Sequence, residues 1–407
     1  MNIHPSRKRI ACITGSFING GAGYASNVII NIMSNYYDVD VFSRETVQKN
    51  NIRYLFFRVF NFTFLKFFYF IQNQIIDKKF IWSRNFFGLF GYKSLSSTKF
   101  DMYFIFSLSY PIVSDRVLER ILKSGKPVFW RLSDMRPFTS GCHYSNTCTQ
   151  FVVDCINCPA IIRFNNLTSI FFLKNYHNAL RSNNIHLLFP SIWLLDKFKL
   201  MNHGNTCSST QMPTMVNPIF KVRNNNNDNL DILNSSNKKL ILFGADNFEN
   251  NLRKGFQQFL DFVEYCHSIP DFFENFKIFC YGTSSNFQVD NNIKFLGKLS
   301  QSDLSNVLNK VDLYVNISLE DNLPNVVMEA LACGTRVVTT RVGGIDELQN
   351  ELPEYVSVFS YGSHSELMNL IKMEVSKCFD RLLISRSFYK NHSDFIMHDF
   401  LRKLENY

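Results

Sequence analysis

Short apolar runs recur along the chain, each ending at a glycine, serine or polar loop and most followed by residues at helical spacing. In the first half they are IACITGSF (10–17), MYFIFSL (102–108), PVFWRL (127–132) and HLLFPS (186–191). In the second half they are KLILFGA (239–245), FKIFCYG (276–282), IKFLG (293–297), VDLYVNIS (311–318) and RVVTTR (336–341). Near-continuous apolar strands alternating with helices predict parallel sheets covered on both faces, an α/β fold. A polar, Asn-rich stretch over 223–237 separates the two series and reads as a linker. The pattern predicts a first domain over 1–222 and a second over 238–385. A final helix of about 386–407, with Phe395, Phe400, Leu401 and Leu404 at helical spacing, is expected to return to the first domain. Ligands of open α/β sheets lie beyond the carboxyl ends of the strands, so two such domains facing each other would hold a site in the cleft between them.

The segment 52–76 breaks this pattern, being rich in Phe with Arg53, Arg58 and Lys66 interspersed. Those charges argue against a membrane-spanning helix. Two readings stay open: a helix lying in an anionic membrane interface, or a core helix whose basic residues reach out to water.

Composition narrows the class. The 407 residues are 46% hydrophobic and 19% charged, which excludes a disordered chain. A mean hydropathy of −0.09 excludes a polytopic membrane protein. The net charge of +9 points to anionic partners such as a phosphorylated substrate or an acidic membrane surface. No long Lys/Arg block or nucleic-acid module accompanies it, so nucleic acid is not expected. The N-terminal MNIHPSRKRIACITGSF lacks the pattern of a cleaved signal, and with ten cysteines a reducing cytoplasm is the expected compartment.

The chemistry concentrates in LEDNLPNVVMEALACGTRVVTTRVGGIDEL (319–348). Pro324 suits the first turn of a helix over 325–333, and Gly334 suits its end. The N-terminus of that helix then lies just past a strand end, where backbone N–H groups and the dipole favour a phosphate. Asp321 and Glu329 could accept hydrogen bonds from sugar hydroxyls. In FGADNFENNLRKGF (243–256), Arg253 and Lys254 follow a strand, where cations would stabilise a departing diphosphate. Gly20, Gly21 and Gly23 sit between the first strand and its helix, allowing close backbone approach to an anion.

These motifs resemble the retaining glycosyltransferases of family 4, whose GT-B architecture is two facing Rossmann-like domains. That family carries two glutamates separated by seven residues, then an ACGTPVV turn and a VGG loop; here they correspond to Asp321, Glu329, Ala332-Cys333-Gly334-Thr335 and Val342-Gly343-Gly344. The resemblance implies that Glu329 holds the nucleotide ribose and that Asp321, one methylene shorter than the usual residue, touches the donor sugar. It places Arg253 and Lys254 on the diphosphate, with Ala245 near the usual place of an arginine. It also implies donor contacts at Gly20, Gly21, Gly23, Gly244, Lys298, Leu299, Asn322, Leu323, Pro324 and Asn325. Asp312 is expected to support the fold.

The segment FWRLSDMRPFTSGCHYSNTCTQFVVDCINCP (129–159) resembles a subgroup acting on bacterial surface polysaccharides. Ser133 replaces the histidine common in the family, which leaves Asp134 as the polar candidate at that strand end, with His143 nearby. Cys142, Cys148, Cys155 and Cys158 lie in the same segment, and four thiols with one Cys-x-x-Cys suit a structural zinc better than disulfides. Packed free thiols are the other reading. The expected protein is a retaining, metal-independent glycosyltransferase at the inner face of the cell membrane. It would move a sugar from a nucleotide-diphosphate sugar to a glycan or lipid-linked acceptor in O-antigen or capsule synthesis. The rivals are a sugar-nucleotide epimerase and an inactive membrane-surface binding protein of the same fold.

Overall fold

The computed structural model describes residues 7–16, 20–48, 74–77, 79–85, 88–108, 111–153, 155, 157–162, 180, 182–201, 207–212, 214–223, 237–284, 292–378 and 380–403. Most of the Phe-rich segment (52–73) and of the linker (224–236) lies outside the described residues.

The chain divides into two compact units, Met1–Thr214 with Met397–Tyr407, and Met215–Ile396. The first holds a parallel sheet of β1 (Arg9–Ile13), β2 (Asp38–Phe42), β3 (Met102–Ile105), β4 (Val128–Arg131), β5 (Ile185–Phe189) and β6 (Ser208–Gln211), in the order β2-β1-β3-β4-β5-β6. The second holds β7 (Lys239–Gly244), β8 (Phe276–Tyr281), β9 (Ile293–Gly297), β10 (Leu313–Asn316), β11 (Arg336–Thr340) and β12 (Val356–Phe359), in the order β12-β11-β10-β7-β8-β9. Counted within the unit, that order is the doubly wound 3-2-1-4-5-6 arrangement.

The continuous apolar runs follow from two-sided burial. In β7, Leu240 and Leu242 enter one core while Ile241 and Phe243 enter the other. In β10, Tyr314 faces the first core and Leu313 and Val315 the second. Each such side chain contributes roughly 1.5–3 kcal/mol by leaving water. Three strands carry no apolar run and escaped the pattern: DVDVF of β2, the exposed edge strand SSTQ of β6, and the short VSVF of β12.

The helix Asn325–Ala332 has Pro324 at its N-cap, one place before the expected first turn. Val327 through Ala332 are buried. At its far end the Ser385 hydroxyl donates to the Ala332 carbonyl at 2.8 Å. Gly334 has φ +72, and a β-carbon there would stand 2.3 Å from the Arg381 carbonyl oxygen, so only glycine fits. Asp312 accepts the Leu240 N–H at 2.8 Å, tying β10 to β7. At the C-terminus the helix Asp394–Lys403 presents the Leu401 carbonyl to the Tyr37 hydroxyl at 3.1 Å, within the first unit. Among the described residues no helix is long and apolar enough to cross a membrane.

Candidate functional site

In the second sheet the strand order reverses between β7 and β10, the neighbours from which the chain winds in opposite directions. A doubly wound sheet leaves a crevice at that point, beyond the carboxyl ends of the two strands. The loop after β7 brings Arg253 and Lys254; the loop after β10 brings Asp321 and the start of the helix Asn325–Ala332.

Two glycines make this juxtaposition possible. Gly255 has φ +83, and a β-carbon would fall 2.0 Å from the Ile317 carbonyl oxygen. The Lys254 loop therefore lies directly on the end of β10, where the Leu319 N–H donates to the Arg253 carbonyl at 2.8 Å. Gly343 has φ +55 and would meet the Asn322 oxygen at 2.0 Å. Its neighbour Gly344 donates its N–H to that same oxygen at 2.7 Å, so the VGG loop braces the Asp321–Pro324 turn.

Lys254 Nζ stands 2.6 Å and Arg253 Nη1 2.9 Å from the same carboxylate oxygen of Asp321. Arg253 Nη1 also donates to the Glu320 carbonyl at 2.5 Å, and Asp321 Oδ1 accepts the Asn322 N–H at 3.0 Å. Burial alone would raise the Asp321 carboxyl, but Lys254 and Arg253 outweigh it and hold it well below the usual carboxylate range. Burial lowers the Lys254 ammonium, with Asp321 opposing the shift. Two cations against one anion leave the cluster net positive, although the exposed Asp246 adds a field of opposite sign. The first turn of the helix Asn325–Ala332 adds N–H groups without intrahelical partners. Asn322 and Pro324 are buried in this turn, Leu323 and Asn325 partly so.

Glu329 lies one turn into the helix and keeps 9% of its surface exposed. Burial pushes its carboxyl up to about 8, against an opposing pull from Lys254. At neutral pH it is a protonated acid, able both to donate to and to accept from a hydroxyl. Gly244 closes β7 with φ +135, where a β-carbon would meet the Tyr281 carbonyl oxygen at 2.4 Å, and its own carbonyl accepts the Tyr314 hydroxyl at 2.8 Å. Lys298 is exposed and Leu299 half-buried at the carboxyl end of the outer strand β9, on the same edge of the sheet.

The other candidates belong to the first unit. Gly20, Gly21 and Gly23 lie in the first turn of the helix Gly20–Met33, the next described element after β1. Asp134 follows β4 and is bound on both oxygens: Oδ1 accepts the Arg136 N–H at 2.9 Å, and Oδ2 lies 2.7 Å from His143 Nδ1. Burial would raise this carboxyl, but His143 and Arg136 hold it below its ordinary value. His143 Nε2 in turn lies 2.8 Å from the Ser83 hydroxyl. This Asp134–His143–Ser83 chain joins residues 60 positions apart, and nothing in the sequence linked Ser83 to it. Pro190 follows β5 and Ser191 caps the next helix, its hydroxyl accepting the Leu194 N–H at 3.1 Å. Another residue the sequence did not single out is Arg131, the last of β4, which is 4% exposed and whose guanidinium burial pulls down to about 10.

The model of the family described as Glycosyl transferases group 1 matches residues 237–369, the stretch that holds Arg253, Lys254, Asp321 and Glu329. A component of the human phosphatidylinositol N-acetylglucosaminyltransferase is 34% identical over 99 residues, 22% of this chain and 19% of that protein. The chain thus matches about a fifth of the length of that curated relative. HepE of Anabaena, solved in complex with UDP-glucose, superposes with a TM-score of 0.63 at 14% identity, covering 98% of this chain and 99% of that one. WaaG, a glycosyltransferase involved in lipopolysaccharide biosynthesis, gives a TM-score of 0.55 at 13% identity over 97% and 98% of the two chains. With the two parallel six-stranded sheets, these likenesses identify the fold as the two-domain α/β GT-B type.

Proposed function

We propose that the chain is a glycosyltransferase that takes a sugar from a nucleotide-diphosphate donor and passes it, with retention of configuration, to a hydroxyl of a glycan or lipid-linked acceptor. The observation that carries this reading is the Arg253–Lys254–Asp321 cluster at the β7/β10 reversal, beside the start of a buried helix. The family match over 237–369 supports it, as does the UDP-glucose bound by a neighbour of the same fold.

When the bond between the anomeric carbon and the diphosphate oxygen breaks, its electron pair stays on that oxygen. Arg253, Lys254 and the N–H groups of the helix start stabilise the charge that develops there, the interaction that most lowers such a barrier. Asp321 holds the two cations in place beforehand and yields part of their charge to the incoming diphosphate. The protonated Glu329 carboxyl meets ribose hydroxyls. The acceptor hydroxyl attacks the face the diphosphate has left, and its proton passes to the departing phosphate oxygen. On this reading the chain's own cations neutralise the leaving group, and no metal ion is needed for that task. The net charge of +9 suits an acceptor on a lipid carrier at the inner face of a bacterial membrane, in the synthesis of an envelope polysaccharide such as O-antigen or capsule.

A thermal-shift panel of UDP-, GDP- and dTDP-sugars, followed by nucleotide release with the stabilising donor, tests the reading. One donor should raise the melting temperature and be consumed, and Lys254→Ala should abolish consumption. Stabilisation by no member of the panel, or undiminished turnover in Lys254→Ala, refutes it.

A further inference from the structure

The cysteine loop of the first unit plays no part in the transfer reaction above. Cys142 sits on a bridge to Trp82, and Cys158 lies just before Ile161, which bridges Ile76. The Cys142 S–H donates to Cys158 Sγ, and Cys148 and Cys155 lie within electrostatic reach of that same sulfur.

Backbone donors converge on these sulfurs in a repeated pattern. Cys148 Sγ accepts the N–H groups of Gln150 and Phe151, two and three residues on. Cys158 Sγ accepts those of Ala160 and Ile161, again two and three residues on. Cys155 Sγ accepts from the Ser140 N–H, and the Ser140 hydroxyl reaches Cys158 Sγ at 3.7 Å. A neutral thiol is a weak acceptor and makes little use of such an array. A thiolate uses it fully, and the thiolate is the form in which cysteine binds a metal.

We propose that Cys142, Cys148, Cys155 and Cys158 bind one zinc ion in a closed, structural site. Zinc–sulfur bonds of about 2.3 Å in a tetrahedron set the sulfurs roughly 3.8 Å apart, about the separation of two thiols in hydrogen-bond contact such as Cys142 and Cys158. As placed, no three His, Cys, Asp or Glu side chains among the described residues form a ready ligand set. Closure therefore draws Cys148 and Cys155, both on loop backbone, onto the Cys142–Cys158 pair. With four thiolates the ion has no open position, so it takes no part in bond breaking. It pins together the backbone that carries His143 and, through the Met135 N–H bonded to the His143 carbonyl at 3.0 Å, the turn that carries Asp134.

The test is elemental analysis of the full chain purified with reductant, together with cobalt(II) exchange after chelation. About one zinc per chain is expected, and the cobalt form should show the intense visible bands of a tetrahedral tetrathiolate. Cys148→Ser and Cys155→Ser should each lower retained zinc at least tenfold, while Cys378→Ser, an exposed cysteine outside the loop, should keep it. If the serine variants fail to fold, the cobalt spectrum of the unaltered chain decides alone. A reduced, folded chain that takes up no zinc or cobalt overturns the proposal, as does a Cys142–Cys158 disulfide in that protein or full zinc in Cys155→Ser. No assay of glycosyl transfer enters, so these results stand apart from the fate of the proposed function.

Discussion

Glu329→Gln should flatten the pH dependence of stability between pH 6 and pH 9. Burial raises the Glu329 carboxyl from 4.5 to about 8. In the unfolded chain the group is already ionised at pH 6, whereas in the fold it keeps its proton until the pH nears 8. The unfolded state therefore binds fewer protons across this window, and stability falls as pH rises. At about 1.36 kcal/mol per unit, the loss between pH 6 and pH 9 is about 3 kcal/mol. For a domain of 150–250 residues, that corresponds to a fall in melting temperature of roughly 6–12 °C. Glutamine keeps the shape and hydrogen-bonding groups without the titration, so the variant should lack this component. The assay is thermal unfolding of both proteins at the two pH values, read as a difference of differences so that every other titrating group cancels. Equal falls in the two proteins would show that Glu329 is ionised in the fold and that its buried acid form is a wrong basis for its hydroxyl-binding role.

Three further outcomes follow from the same geometry. Lys254→Met should weaken binding of the diphosphate nucleotide at least tenfold by calorimetry while leaving the melting temperature within a few degrees, because Arg253 still pairs with Asp321. Asp321→Asn should destabilise the unliganded chain by about 3 kcal/mol in denaturant titration at pH 7, since two cations lose their anion; added pyrophosphate should restore most of the loss. The carboxyl of Asp321 is depressed in the fold, so its contribution is present above about pH 4 and fades as pH falls below that, and the difference between wild type and variant should shrink there. Gly343→Ala should cost roughly 3 kcal/mol or more and abolish donor binding, because the new methyl group collides with the Asn322 oxygen that braces the turn.

What the sequence made legible follows from how each feature is encoded. Strands buried on both faces carry their signal in consecutive residues, so KLILFG and RVVTT stand out, while SSTQ at an exposed edge carries none and takes its place by pairing with β5. The site of the second unit was legible because the two loops are each local strings, RKG and EDNLP, and because their positive-φ glycines leave a mark in the sequence itself. That Lys254 and Arg253 would share one oxygen of Asp321 was not legible, since the contact spans 67 residues and depends on which strands are neighbours. The Asp134–His143–Ser83 chain was missed for the same reason: Ser83 comes from a segment whose neighbours gave no periodic signal. The protonation of Glu329 lies deeper still, because a carboxyl's charge state depends on the water that its surroundings exclude. Such features rest on strand order, and the order β9-β8-β7-β10 is what sets a lysine and an aspartate from distant stretches at one crevice. An inserted residue between Asn251 and Leu252 would leave the RKG and EDNLP strings readable and yet move the ammonium off Asp321. Binding of the donor should then be lost with the sheet intact, which separates the presence of the motif from the geometry that makes it work.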